Sequence, residues 1–128
     1  MKPLCEVVSQ DVLPAVRALV AKKMIEEYGL SQKSAAERLG TTQPAISQYM
    51  SRLRGQKARV FNAYPAVLER ISSLAEGVAK EEIKADQVTL RFCEICRLML
   101  KEGIICKLHR DMYPSLSACN VCMDNKVC

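Results

Sequence analysis

Six of the seven cysteines lie in the second half of this 128-residue chain, at spacings suited to holding a metal. Cys93 and Cys96 form a C-x2-C inside RFCEICRLM, Cys106 follows after nine intervening residues in GIICKLH, and Cys119, Cys122 and Cys128 fall in CNVCMDNKVC. Two thiolates three positions apart on a helix share a face and can reach one ion, while the following chain folds back with further ligands. The N-terminus MKPLCEVVSQ lacks the apolar run of a signal peptide, and no stretch reaches membrane-spanning length. A cytoplasmic protein is therefore expected. In a reducing compartment an odd number of cysteines argues against a disulfide framework and for metal ligation.

Two ligand sets compete. Cys93, Cys96, Cys119 and Cys122 make C-x2-C-x22-C-x2-C, close to structural zinc spacing. Such a site would fold a tail too small to hold itself. Cys106, Cys119, Cys122 and Cys128 end in C-x2-C-x5-C, a spacing that resembles the four-iron cluster loop of some DNA-repair glycosylases. Six cysteines exceed one zinc site and fall short of two, so an iron–sulfur cluster (4Fe-4S) on the second set is the first expectation. Zinc is the alternative, and a metal-free thiol switch the third. His109, the one histidine, reads as a surface or outer-shell group, and Cys5 as a small buried hydrophobe.

What must position these residues is helical. Apolar residues make up 49% of the chain with only four Tyr, two Phe and no Trp, so the core must be aliphatic. DVLPAVRALVAKKMIEEYG has Val12, Val16, Leu19, Val20 and Met24 at helical spacing, with Asp11 as its expected cap, Pro14 in the first turn and Gly29 as its end. Ser31 is set to cap a helix through Leu39, Gly40 to make a tight turn, and Thr41 or Thr42 to cap the next helix with Pro44 in its opening turn. Ala36, four residues before Gly40, permits close approach, and Ile46 and Tyr49 return to the inner face opposite Leu39. Two short helices crossed through a glycine turn are the packing logic of a helix-turn-helix.

The outer face of that last helix carries Thr42, Gln43, Ser47, Gln48 and Ser51. Glutamine can bond an adenine edge bidentately, and hydroxyls bond several edges, so this face suits the major groove. Residues 1–60 hold ten Lys/Arg against five Asp/Glu, whereas residues 61–128 hold nine of each. The net charge of +5 thus lies wholly in the first half, and no acid occurs between Glu37 and Glu69. Gln32, Arg52, Arg54 and Lys57 are placed to hold a phosphate backbone.

SQKSAAERLGTTQPAISQYMS resembles the helix-turn-helix of lambda-repressor-type (Xre-like) transcription regulators. More narrowly, CEVV with VLPAVRALVAKKMIEEYGLSQ, and RFCEIC with GIICKLH, are similar to a group of predicted archaeal regulators with a Cys-rich C-terminal segment. The first resemblance implies DNA binding; the second adds little functional detail.

Beyond residue 60, Val67, Leu68, Ile71, Leu74 and Val78 mark one helix, and Val88, Phe92, Ile95, Leu98 and Met99 mark another from about 86 to 102. The second set exceeds what one side of a small bundle needs, so a homodimer surface is expected there. The expected fold is all-α: a helix-turn-helix DNA-binding domain over 1–60, then a helical dimerisation and sensor region over 61–128 with a Cys-rich metal-binding tail from about 93. The expected function is a DNA-binding transcription regulator whose cluster senses redox or iron–sulfur state, with double-stranded DNA as partner and no membrane. No catalytic grouping stands out. The rival of another class is a thiol oxidoreductase acting through Cys93 and Cys96, disfavoured by crowding from Phe92 and Ile95 and by the lack of a βαβ pattern. A third reading is a protein-binding adaptor.

Overall fold

In a computed structural model the described residues, 1–52 and 61–121, are helical and contain no strand. The order is α1 Leu4–Val7, α2 Leu13–Glu26, α3 Gln32–Leu39, α4 Gln43–Arg52, α5 Pro65–Ala79, α6 Ala85–Lys101 and α7 Ile104–Met112, followed by a 3-10 turn Pro114–Leu116. No described helix is long and apolar enough to cross a membrane.

The start of α2 corrects the expectation of an Asp11 cap. A π-helical turn, Val8–Val12, joins α1 to α2 with right-handed helical backbone throughout, so Asp11 meets no helix start to cap. Its carboxylate instead lies 3.7 Å from Lys2 Nζ. Pro14 is the reason for the turn. A proline inside a helix cannot donate and its ring crowds the carbonyl four residues back, and a π turn widens the path there. The extra residue also keeps Val7 and Val12 on one side although five positions separate them, in line with buried Leu4, Val16 and Val20.

That stripe belongs to a core shared by both halves of the sequence. Val7, Val12, Val16, Val20 and Met24 meet Val67, Ile71, Leu74 and Val78 of α5, Val88, Phe92, Ile95 and Met99 of α6, and Ile104 and Ile105 of α7. The core is aliphatic apart from Phe61 and Phe92, as the composition requires. Removing such side chains from water contributes about 1.5–3 kcal/mol each.

The α6 residues expected to be surplus are consumed inside the chain. Val88, Phe92, Ile95 and Met99 are buried and Leu98 packs partly against them, because α6 is covered by α5, α7 and α2 rather than on one side only. That set is therefore not a spare outer surface, and the large exposed apolar residue of α6 is Leu90. Cys5 also departs from expectation: α1 buries Leu4 and Val7, which leaves Cys5 on the solvent side.

α5 ends in a turn whose glycine is internal. Gly77 accepts from the Glu82 and Ile83 amides at 2.8 and 3.0 Å, and a Cβ there would come within 2.7 Å of Ile83 Cγ1. Glu81 takes the left-handed position (φ 61°) that usually goes to glycine. It is held by Arg38 of α3, whose Nη2 is 3.4 Å from Glu81 Oε1 and whose Nη1 donates to the Ala79 carbonyl. A guanidinium on the last carbonyls of a helix satisfies orphan acceptors and the helix dipole together. Arg38, part of the basic stretch in sequence, thus serves as a clasp between α3 and α5.

Candidate nucleic-acid interface

The α3–α4 unit is built from local chemistry. Ser31 is the N-cap of α3, its Oγ accepting from the Ser34 amide at 3.1 Å. Gly40 closes α3 in the left-handed conformation (φ 69°, ψ 32°), with the Gly40 amide donating to Glu37 and the Thr41 amide to Ala36 at 2.9 Å. That pair of bonds is a Schellman closure, which needs a residue without a Cβ penalty at the left-handed position. Of the two expected threonine caps, Thr42 acts: its Oγ1 accepts from the Ala45 amide at 3.3 Å and starts α4.

A small second core then fixes α3 and α4. Ala21 of α2, Ala36 of α3 and Ile46 of α4 are buried together, flanked by Ile25, Leu39, Tyr49 and Met50. Two alanines let the backbones approach, and Ile46, fully buried, fills the gap between them. With Ile46, Tyr49 and Met50 turned inward, the 3.6-residue period turns Pro44, Ser47, Gln48 and Ser51 outward in one strip with Gln43 at its edge. All five are exposed, as is Thr42, while Gln32, the first residue of α3, is half-buried. Arg52 is the last residue of α4; its side chain, together with Arg54 and Lys57, lies outside the described residues.

Residues 22–64 match the family model described as helix-turn-helix. The matched segment runs from within α2, through the second core, to the start of α5. Within it, the α3–α4 pair has the arrangement of a helix-turn-helix. The match supports a DNA-binding transcription regulator of the broad lambda-repressor (Xre-like) kind. The narrower archaeal likeness rests on the quoted sequence motifs alone. No curated protein and no solved structure matches the chain.

The described thiols of the second half lie on α6, on α7 and past the 3-10 turn. Cys93 is exposed and Cys96 half-buried on α6, Cys106 is buried on α7, and Cys119 is half-buried just past the 3-10 turn. Cys122 and Cys128 lie outside the described residues. Among the described residues no three of His, Cys, Asp and Glu come close enough to hold one ion. Cys93 corrects the expectation of crowding: Phe92 and Ile95 turn into the core, so the thiol between them faces outward. His109 has a structural task. Its Nε2 pairs with the Lys2 carbonyl at 2.8 Å and its ring meets Tyr113 edge-on at 5.6 Å, while the Lys2 amide donates to the Tyr113 hydroxyl at 2.8 Å. These contacts pin the first residues to α7.

Sequence reasoning missed a cleft of about 680 Å³ between α6 and the helix-turn-helix. Leu39, Gly40, Thr41 and Tyr49 form one wall; Val88, Phe92, Cys93, Cys96 and Arg97 form the facing one. Arg17 of α2 also reaches it, its guanidinium 5.7 Å from the centre of the Phe92 ring. The available signal was the α6 stripe 88, 89, 92, 93, 96, 97, which mixes apolar residues, thiols and a cation on one face.

Proposed function

We propose that this protein is a sequence-specific transcription regulator that lays α4 in the major groove of double-stranded DNA. The observation that carries this is the polar strip of α4 held outward by Ile46 at the buried second core, within a segment matched as a helix-turn-helix. Gln43, Ser47 and Gln48 read base edges, supported by Thr42 and Ser51. Gln32, Arg52, Arg54 and Lys57 hold the phosphates. Selection of a binding sequence from random duplexes, followed by titration of the full chain and of Gln48→Ala, tests it. The variant is expected to lose about 1–3 kcal/mol at one base position with non-specific affinity retained. A chain that selects no sequence refutes the proposal.

The six distal cysteines support a metal module alongside the reader, with a 4Fe-4S cluster as first choice on Cys106, Cys119, Cys122 and Cys128, and structural zinc on Cys93, Cys96, Cys119 and Cys122 as the alternative. The support is their number and spacing. A cluster would bind redox state to DNA affinity if its loss reshapes the helices that carry two readers in a homodimer. Protein purified without oxygen decides between them: broad visible absorption with iron and acid-labile sulfide means a cluster, whereas a colourless protein with one tightly held zinc removes it.

A further inference from the structure

The cleft between α6 and the helix-turn-helix has the size and chemistry of a ligand site. At about 680 Å³ it falls in the range that encloses small organic molecules. Its apolar walls come from Leu39 and Tyr49 on one side and from Val88 and Phe92 on the other. Two cations, Arg17 and Arg97, line it, and no carboxylate stands among its described lining residues. Neither arginine forms an ion pair among the described residues, whereas Arg38, Arg91, Lys23 and Lys80 each have a carboxylate partner. Arg17 is further held in place by stacking over Phe92. Guanidiniums without a carboxylate partner among the described residues, beside apolar and aromatic walls, select a molecule with an apolar body and one anionic end.

We propose that this cleft binds a small amphipathic organic acid, its carboxylate on Arg17 and Arg97 and its apolar body between α6 and α4. The position gives the ligand a means of control. Leu39, Gly40 and Thr41 are the turn between α3 and α4, and Tyr49 lies on the inner face of α4, so an occupant presses on the joint that aims the reading helix. A ligand that fits one pose of that joint better than another shifts the population of poses, and with it DNA affinity. This control rests on the DNA-binding reading above; the binding site itself does not.

The test uses the full chain and a fluorescent reporter, anilinonaphthalene sulfonate, with decanoate and decanol as competitors of equal chain length. The reporter should bind saturably, and decanoate should displace it at a concentration about tenfold below that of decanol. Arg97→Gln should weaken decanoate about tenfold and leave decanol unchanged. Thr89→Trp, at an exposed position lining the cleft, should obstruct it and weaken reporter binding about tenfold, with the thermal midpoint preserved. No saturable signal in the parent chain, equal displacement by acid and alcohol, or undiminished binding in Thr89→Trp would each overturn the site. On a selected DNA sequence, saturating decanoate should change the affinity about fivefold or more. Unchanged DNA affinity with intact decanoate binding removes the control and leaves the site. Absence of any DNA binding removes the regulator reading and the control together, while the reporter still decides the site.

Discussion

Replacing Gly40 isolates what the α3–α4 turn costs. The residue sits at φ 69° and ψ 32°, and a Cβ built on it meets nothing within 4 Å, so the penalty of Gly40→Ala comes from backbone conformation alone. A left-handed L-residue costs about 1–2 kcal/mol. Alanine also restricts the unfolded chain, which offsets about 0.4–1 kcal/mol of that loss. The net expectation is a destabilisation of about 1 kcal/mol, or roughly 3–6 °C in Tm for a chain of this size. Asparagine tolerates the left-handed region better, so Gly40→Asn should lose less, and β-branched Gly40→Val should lose more. Urea unfolding followed by circular dichroism ranks the three, and the unchanged slope of the transition confirms that only stability moved. A Gly40→Ala chain as stable as the parent would refute the left-handed turn. A loss of about 3 kcal/mol or more would refute the open space around it.

Ile46→Ala empties the middle of the second core and should cost about 2–5 kcal/mol, with DNA affinity falling further because α4 loses its seat; urea unfolding beside a DNA titration checks both. Ser31→Ala removes the cap of α3 and should cost about 1 kcal/mol, most of it recovered by Ser31→Asp in the same unfolding assay. Arg38→Met breaks the clasp on the Ala79 carbonyl and should cost about 1 kcal/mol, with little from the Glu81 pair, since that carboxylate is 76% exposed and screened. The same variant should leave the salt dependence of DNA binding unchanged, whereas Lys57→Ala should lower its slope by about one. Equal slopes in the two variants would show that Lys57 holds no phosphate.

The residues that announce the helix-turn-helix act on their immediate neighbours, and for that reason the sequence alone reveals it. Ser31, Gly40 and Thr42 each satisfy or terminate backbone groups within five positions, so cap and turn chemistry predicts α3, its closure and the start of α4. Ala36 and Ile46 add a contact whose spacing is set by the turn itself. The outward strip of Ser47, Gln48 and Ser51 then follows from helical period. The periods of α5 and α6 were legible on the same ground.

Other features depend on partners distant in sequence. Pro14 reads locally as a helix start, yet the segment before it packs through Leu4 and Val7 onto the common core, and a π turn carries the helix past the proline. The α6 residues read as a spare surface until α2, α5 and α7 are seen to cover them. Arg38 belongs by sequence to a basic flank, and only the arrival of the α5 C-terminus beside α3 turns it inward to a carbonyl. Cys93 and Cys96 carry metal spacing in the sequence, while the tertiary structure lines a cleft with them beside Arg17 and Arg97. The sequence by itself determined the bodies of α2 to α6, the α3–α4 turn and the polar outer face of α4, because backbone satisfaction and helical period are local. The tertiary structure decided which charges are paired, which apolar faces are covered and where a cavity opens, because those depend on how separate helices meet.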